Sequence, residues 1–311
     1  MSSESSRKRL ALGGLTIGIS ISDSEDLGRL GLDPIVVDLA YTEISRHLLA
    51  HGANLAYGGD HRDGGFASIL FELIQTYDQP GQNVSDRTRN YLAWPLHLTL
   101  DDDRRVALNG VARLVEIPLE PDLKETFKLD PKVFLETKVP EEVETPEAMS
   151  ESERRYVWTR SLTRMRERMR DEIDARIVVG GQTGKFLGRY PGIAEEALLG
   201  LGSPLYLLGG FGGCTRDLID ALGGGRPERL TRDFQCERST HHKDYAPLDE
   251  EYNRRHPDAP IDYDALREQF AQAGISGLRN GLDEKENRIL FETDDVDWMI
   301  ALVLKGLSRV G

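Results

Sequence analysis

Residues Arg176–Asp217 read RIVVGGQTGKFLGRYPGIAEEALLGLGSPLYLLGGFGGCTRD. Two short apolar runs in it, Ile177–Val179 and Leu205–Leu208, each end in Gly-Gly and are each followed by a loop and a helix-like segment. A continuous aliphatic run is how a strand buried on both faces reads. Glycines just beyond it let the chain turn sharply and approach a ligand closely. The next helix points its free N–H groups at the same place. The pattern recurs upstream: Ala53–Tyr57 leads into Gly58-Gly59-Asp60-His61-Arg62-Asp63-Gly64-Gly65. Three strand ends of this kind predict the ligand-binding edge of a parallel sheet. The fold class that follows is α/β, a Rossmann-like parallel sheet sandwiched by helices, with polar insertions and a helical C-terminal segment.

Working outward, Leu15–Ile19 gives a first strand that runs into Ser20-Ile21-Ser22. Ser20 and Ser22 stand where a phosphate or ribose binds, although hydroxyls there also make local turns. Asp33-Pro34 opens a helix with an apolar stripe of Val37, Ala40, Ile44 and Leu48. Phe66–Tyr77 reads as a helix, Tyr91–Leu100 as an irregular strand and Val111–Ile117 as a strand. Glu120–Ser150, rich in Pro, Glu and Lys, reads as an exposed insertion. Ser150–Glu153 is a capping-box pattern. The helix it opens carries Trp158, Leu162, Met165, Met169 and Ile173 as its stripe, and Arg160, Arg164, Arg166, Arg168 and Arg170 around it. Those arginines make either a solvated face or, for one beside the stripe, an anion ligand at the strand ends. Gly274–Asn287 reads as loop and turn, and a last amphipathic helix runs from Asp294 to Leu307. The domain reading is a tail over 1–13, a Rossmann-like unit over 14–225 with an insertion at about 120–150, and a C-terminal extension over 226–311 packed on it.

The net charge of −14 argues against nucleic acid and anionic membranes as partners. No run approaches the ~20 apolar residues of a membrane span. Two cysteines, Cys214 and Cys236, make no disulfide or metal framework and suit a cytoplasmic location; Cys214 reads as a small buried side chain. The pair His241-His242 has no carboxylate or cysteine at a ligand spacing, so no metal is expected. The spacings of a dinucleotide dehydrogenase, a P-loop and a serine nucleophile elbow are all missing. What remains is a glycine-lined site with acids. Glu195 and Glu196 sit in the first turn of a helix, where the dipole favours carboxylates. They either bind a ribose and steady a ribosyl cation or are simple helix-start residues.

These residues resemble the SLOG superfamily, which joins Smf/DprA proteins with the "lonely guy" phosphoribohydrolases. In the lonely-guy pattern a Met-His-x-Arg-Lys-x-x-Met helix precedes a strand and Pro-Gly-Gly-x-Gly-Thr-x-x-Glu. Here Arg168 stands for the motif arginine, Gly180-Gly181 for the first glycines, and Gly192–Glu196 for Gly-Thr-x-x-Glu. The chain departs at Val179, Ile193, Arg166 and Met169, and inserts Gln182–Pro191. Tyr57-Gly58-Gly59 with Leu208-Gly209-Gly210-Phe211-Gly212-Gly213 is closer to bacterial SLOG clusters linked to conflict systems and to the ligand-sensing domain of TRPM channels. The resemblance implies a small nucleotide ligand (ADP-ribose, NAD or a nucleoside monophosphate) and no further cofactor. It implies ligand contacts from Ser20, Ser22, Gly58, Gly59, Asp60, Arg62, Gly64, Gly65, Gly180, Gly181, Gly184, Gly192, Gly209, Gly210, Gly212 and Gly213. If the chain is an enzyme, Glu196, Glu195 and Arg168 carry N-glycosidic cleavage. A homo-oligomeric or effector-binding interaction protein is the third alternative.

Overall fold

The computed structural model describes residues 11–59, 69, 73, 87–109, 112–130, 134 and 149–310. Six parallel strands form one sheet: β1 (Thr16–Ser22), β2 (Asn54–Gly58), β3 (Thr88–Leu92), β4 (Arg113–Glu116), β5 (Ala175–Gly180) and β6 (Leu205–Leu208). Their order is β4-β3-β2-β1-β5-β6. β1 lies in the middle, with Ile17 opposite both Leu55 of β2 and Ala175 of β5. It is buried over six of its seven residues, as a strand covered on both faces must be.

The described helices are α1 (Leu27–Leu30), α2 (Ile35–Ala50), α3 (Asp102–Asn109), α4 (Pro121–Phe127), α5 (Glu151–Arg170), α6 (Gly192–Gly200), α7 (Gly213–Leu222), α8 (His242–Arg255), α9 (Tyr263–Ala273), α10 (Glu284–Glu292) and α11 (Val296–Val310). On one face of the sheet Ile17, Ile19 and Ile21 pack with Val37, Ala40, Ile44 and Leu48 of α2 and with Met299, Val303 and Leu307 of α11. On the other, Val178 and Leu207 pack with Ala194 and Ala197 of α6 and with Leu218 of α7. α5 and the turn after it cross that face so closely that a Cβ on Gly18 would lie 3.1 Å from Met169 Cε and 2.7 Å from Ile173 Cδ1. α8 packs outside α5, and α9 outside α7.

Local chemistry sets the helix starts. Ser150 Oγ accepts from Glu153 N at 3.3 Å, and Ser150 N donates to Glu153 Oε2 at 3.0 Å, the expected capping box of α5. Asp33 Oδ1 accepts from Ile35 N at 2.9 Å ahead of α2. Four expectations need correcting. β3 occupies Thr88–Leu92, earlier than the strand expected at Tyr91–Leu100, because Trp94-Pro95 and the 3₁₀ turn Leu96–Thr99 end the extended run. The stretch expected to be loop after Gly274 contains the start of α10, held by a second capping box between Asp283 and Glu286. The segment read as an exposed insertion contributes α4 and a buried Phe134, whose ring centroid is 4.7 Å from that of Trp94. Leu12, inside the expected tail, is buried against the core. The helix expected at Phe66–Tyr77 lies outside the described residues except at Ile69 and Leu73, both helical. Among the described residues no helix is long and apolar enough to cross a membrane.

Candidate functional site

The strand order reverses between β1 and β5. In open parallel sheets the crevice outside the carboxyl ends at such a point is where ligands bind. Here it is bounded by Ser22–Asp26 after β1 and by the loop after β5. Gly180 and Gly181 have φ of +64° and +103°, a left-handed turn that side-chain-bearing residues resist. The turn is stitched to neighbours: Gly181 N donates to Ser22 O at 3.0 Å, Cys214 N to Gly181 O at 2.8 Å, and Thr215 Oγ1 to Gly180 O at 2.8 Å.

The N-terminus of α7 opens onto the same place, and the protein fills it. Gly213 N donates to Asp26 Oδ2 at 2.8 Å. Arg229 holds Asp26 through Nη1 and Nη2 at 3.1 and 2.9 Å, Asp217 through Nε at 2.7 Å, and Glu25 through Nη1 at 3.2 Å. Burial pushes the Asp26 carboxyl up, but Arg229 and the Gly213 amide outweigh it, so it stays below the usual carboxylate range. For Asp217 burial wins over Arg229, with Asp26 and Glu25 adding repulsion, and its carboxyl is raised. Asp26 and Arg229 were not legible in the sequence, since neither lies in a motif.

Beneath α6 lies a buried ionic network. Glu196 accepts from Ser20 Oγ, and from Arg176 Nη1 at 2.7 Å. Arg176 Nη1 also reaches Ser20 Oγ at 2.6 Å. Glu195 accepts from Thr163 Oγ1 at 2.6 Å, from Arg189 Nε at 2.7 Å and from Arg166 Nη1. Arg166 Nε stands 3.5 Å from Glu196 Oε1. Glu195 is fully buried. Burial alone would raise its carboxyl, yet Arg166 and Arg189 together hold it below the ordinary value. A carboxylate held between guanidinium groups is a poor proton acceptor, so Glu195 is not poised as a general base.

Arg168 is not part of this network: its side chain is 57% exposed and pairs with Glu172 along α5. Arg166, two residues earlier, lies under Gly188 and Gly192, where a Cβ would come 2.8 and 2.9 Å from its guanidinium nitrogens. The structure brings Ser20, Glu195 and Glu196 together, and leaves Ser22 half-buried at the crevice. Gly209 and Gly210 are packed against the carbonyls of Phe291 and Thr293, which an added Cβ would overlap. Gly212 and Gly213 face Asp26 and Gly181 in the same way. Gly209, Gly210 and Gly213 therefore admit backbone of the protein itself, and Gly212 the Asp26 side chain. Gly184 lies beside Thr240, whose hydroxyl donates to its carbonyl. Gly58 and Gly59 end β2, while Asp60, Arg62, Gly64 and Gly65 lie outside the described residues. Lys185, in the loop after β5, is exposed and carries no ion pair among the described residues.

Cys214 is fully buried and its thiol is pushed well up by burial. His241 stacks on Tyr245 at 5.3 Å, accepts from Phe186 N through Nδ1 at 3.5 Å and reaches Gln235 Oε1 through Nε2 at 3.1 Å, a packing role. Among the described residues no group of three or more His, Cys, Asp or Glu could hold a metal.

Comparison with known proteins returns no match among curated proteins and none among solved structures. The family model described as SLOG cluster2 matches residues 11–290. That span takes in all six strands, the switch point and the ionic network. The placement points to a nucleotide-related role, in ligand binding or processing. With its parallel sheet, reversed strand order and glycine turn after β5, the chain belongs to the SLOG cluster2 family of the SLOG superfamily.

Proposed function

We propose that this protein binds a nucleotide, of ADP-ribose, NAD or nucleoside monophosphate type, in the crevice outside β1 and β5, and acts as a ligand sensor. The observation that carries the reading is the reversal of strand order at β1 and β5 beside a left-handed glycine turn. Ser22 supplies a hydroxyl to ribose or phosphate. Lys185 offsets phosphate charge, as the exposed cation of the loop after β5. Binding is favoured over hydrolysis because Glu195 and Glu196 are already paired with Arg166, Arg176 and Arg189, and because Arg168 stands outside the network. The protein is read as cytoplasmic.

The test is thermal shift against NAD, ADP-ribose, AMP and other nucleotides, with product analysis of each hit. Ligand at 100 times its Kd stabilises by about 2.7 kcal/mol. The expected result is a stabilising nucleotide recovered intact, with affinity lowered about tenfold in Lys185→Ala. No shift with any nucleotide refutes the proposal. Release of free base, lost in Glu196→Gln under conditions where that variant is still folded, would make the protein an N-glycosidase instead.

A further inference from the structure

We propose a second ligand site, on the C-terminal segment, for a small zwitterion of the α-amino-acid type. A cavity of about 270 Å³ lies between the turn after α7, the end of α8 and the start of α9. That is just under the size of clefts for drug-sized ligands and suits a smaller metabolite. Its walls include Arg226, Arg232, Asp233, Asn253, Ile261 and Tyr263. It is separate from the switch-point crevice. Arg229, between Arg226 and Arg232 in the chain, turns the other way, to Glu25, Asp26 and Asp217.

The chemistry follows from which lining groups are already engaged. Asp262 Oδ1 accepts from Ala265 N at 2.9 Å as the cap of α9. Asp264 pairs with Arg267 and, at 3.7 Å, with Arg226. Thr231 Oγ1 donates to Glu228 O at 2.7 Å and accepts from Phe234 N at 3.2 Å. Arg232 meets the buried Asp249 through Nε and Nη2, which leaves Nη1. Asn253 Oδ1 accepts from Ile261 N at 2.6 Å, which fixes the amide orientation and leaves its NH₂ donors. Asp233 is exposed and has no ion pair among the described residues.

The groups with spare capacity are three sets of donors and one carboxylate, Arg226 among them because Asp264 stands 3.7 Å from it and is taken up by Arg267. Arg226, Arg232 Nη1 and the Asn253 NH₂ match a carboxylate, since guanidinium and amide donors fit a planar oxyanion. Asp233 matches an ammonium. The buried Ile261 and Tyr263 give the floor an apolar surface for a side chain. A polyanion is disfavoured, because Asp233, Asp262 and Asp264 border the cavity and repel a second negative charge. A simple amine leaves the spare guanidinium and amide donors unused.

The experiment is isothermal titration of the full chain with each of the common free α-amino acids, with acetate, inorganic phosphate and methylamine alongside. At least one amino acid is expected to bind saturably, and the three control ions to bind more weakly. Asn253→Asp keeps the acceptor for Ile261 N but replaces the donors with negative charge. It should weaken binding about tenfold or more at an unchanged melting temperature, as should Arg226→Glu at an exposed site. Asp233→Asn should weaken the amino acid while sparing acetate. The proposal is overturned if no amino acid gives heat at millimolar concentration, if acetate or phosphate binds as tightly as any amino acid, or if Asn253→Asp leaves binding unchanged.

Discussion

Replacing Glu196 by glutamine removes one charge from the buried network and almost no volume. Arg176 is 1% exposed, and its Nη1 is satisfied only by Glu196 and Ser20, while Nε and Nη2 have no hydrogen-bond partner. Burial and the nearby Arg166 both disfavour its charge, and Glu196 is what offsets them. A guanidinium cannot shed its proton at neutral pH. The substitution therefore strands a buried cation, which costs about 3–5 kcal/mol. Against a total stability of ~5–15 kcal/mol, that is about a fifth or more. Urea unfolding followed by tryptophan fluorescence reads it. With m of about 3 kcal/mol/M, the midpoint should fall by ~1–1.7 M. Adding Arg176→Met removes the stranded charge and leaves an apolar side chain beside Ser20. Because a buried pair can be replaced by apolar groups with little net loss, the double variant should regain at least ~2 kcal/mol over Glu196→Gln alone. The reasoning fails if Glu196→Gln changes stability by less than ~1 kcal/mol with m unaltered. It fails equally if the two substitutions are additive, since then Glu196 is not what makes the buried arginine tolerable.

Two further outcomes bear on packing and pH. Gly210→Ala drives a methyl group into the Thr293 carbonyl, with Asp294 N 2.7 Å away, and backbone cannot yield as a flexible side chain does. We expect a loss of about 1–3 kcal/mol in urea unfolding, whereas Gly28→Ala, in α1 with open space around it, should be neutral or gain up to ~1 kcal/mol; equal effects would show that the strand end is not tightly covered. His241 is pushed down to about 4 by burial, with Arg155 adding to it, against an unfolded value of ~6.5. The folded state thus binds its proton less readily than the unfolded chain. The stabilisation is fully present above pH ~6.5 and is lost as pH falls toward 4. Unfolding at stepped pH should show that decline reduced in His241→Gln, and identical slopes would contradict the assignment.

The central sheet was legible because both of its faces are covered. Ile177–Val179 and Leu205–Leu208 carry apolar side chains on both sides of the strand, and such runs stand out from any periodic pattern. β3 was harder: Thr88-Arg89-Asn90 is polar, and Thr88 and Asn90 are buried, so composition hid a strand that only pairing with β2 and β4 creates. α10 carried its own signal, the Asp-x-x-Glu box at Asp283–Glu286, but followed a glycine-rich stretch that reads as turn. Among the arginines of α5 the helical period held the answer. At 100° per residue Arg166 falls roughly 60° from the centre of the apolar stripe, and Arg168 roughly 100°. The motif alignment selected Arg168, while the phase selects Arg166, and the structure follows the phase.

The glycines mark a real limit of sequence reading. A strand end needs glycine wherever another group comes closer than a Cβ allows, and that group can be a ligand or the protein's own backbone. At Gly209 and Gly210 it is Phe291–Thr293, and at Gly212 and Gly213 it is Asp26 and the turn after β5. The identity of the second group is set by residues some 80 positions downstream or nearly 190 upstream, such as Thr293 and Asp26, and no local pattern encodes it. The same holds for charge. An arginine on α5 and two glutamates on α6 read locally as a solvated face and a helix start. Only the crossing of α5 over β1 and β5 turns them into a network with three guanidinium groups and two carboxylates. Within it the two glutamates are the counter-charge that lets the arginines pack beneath α6.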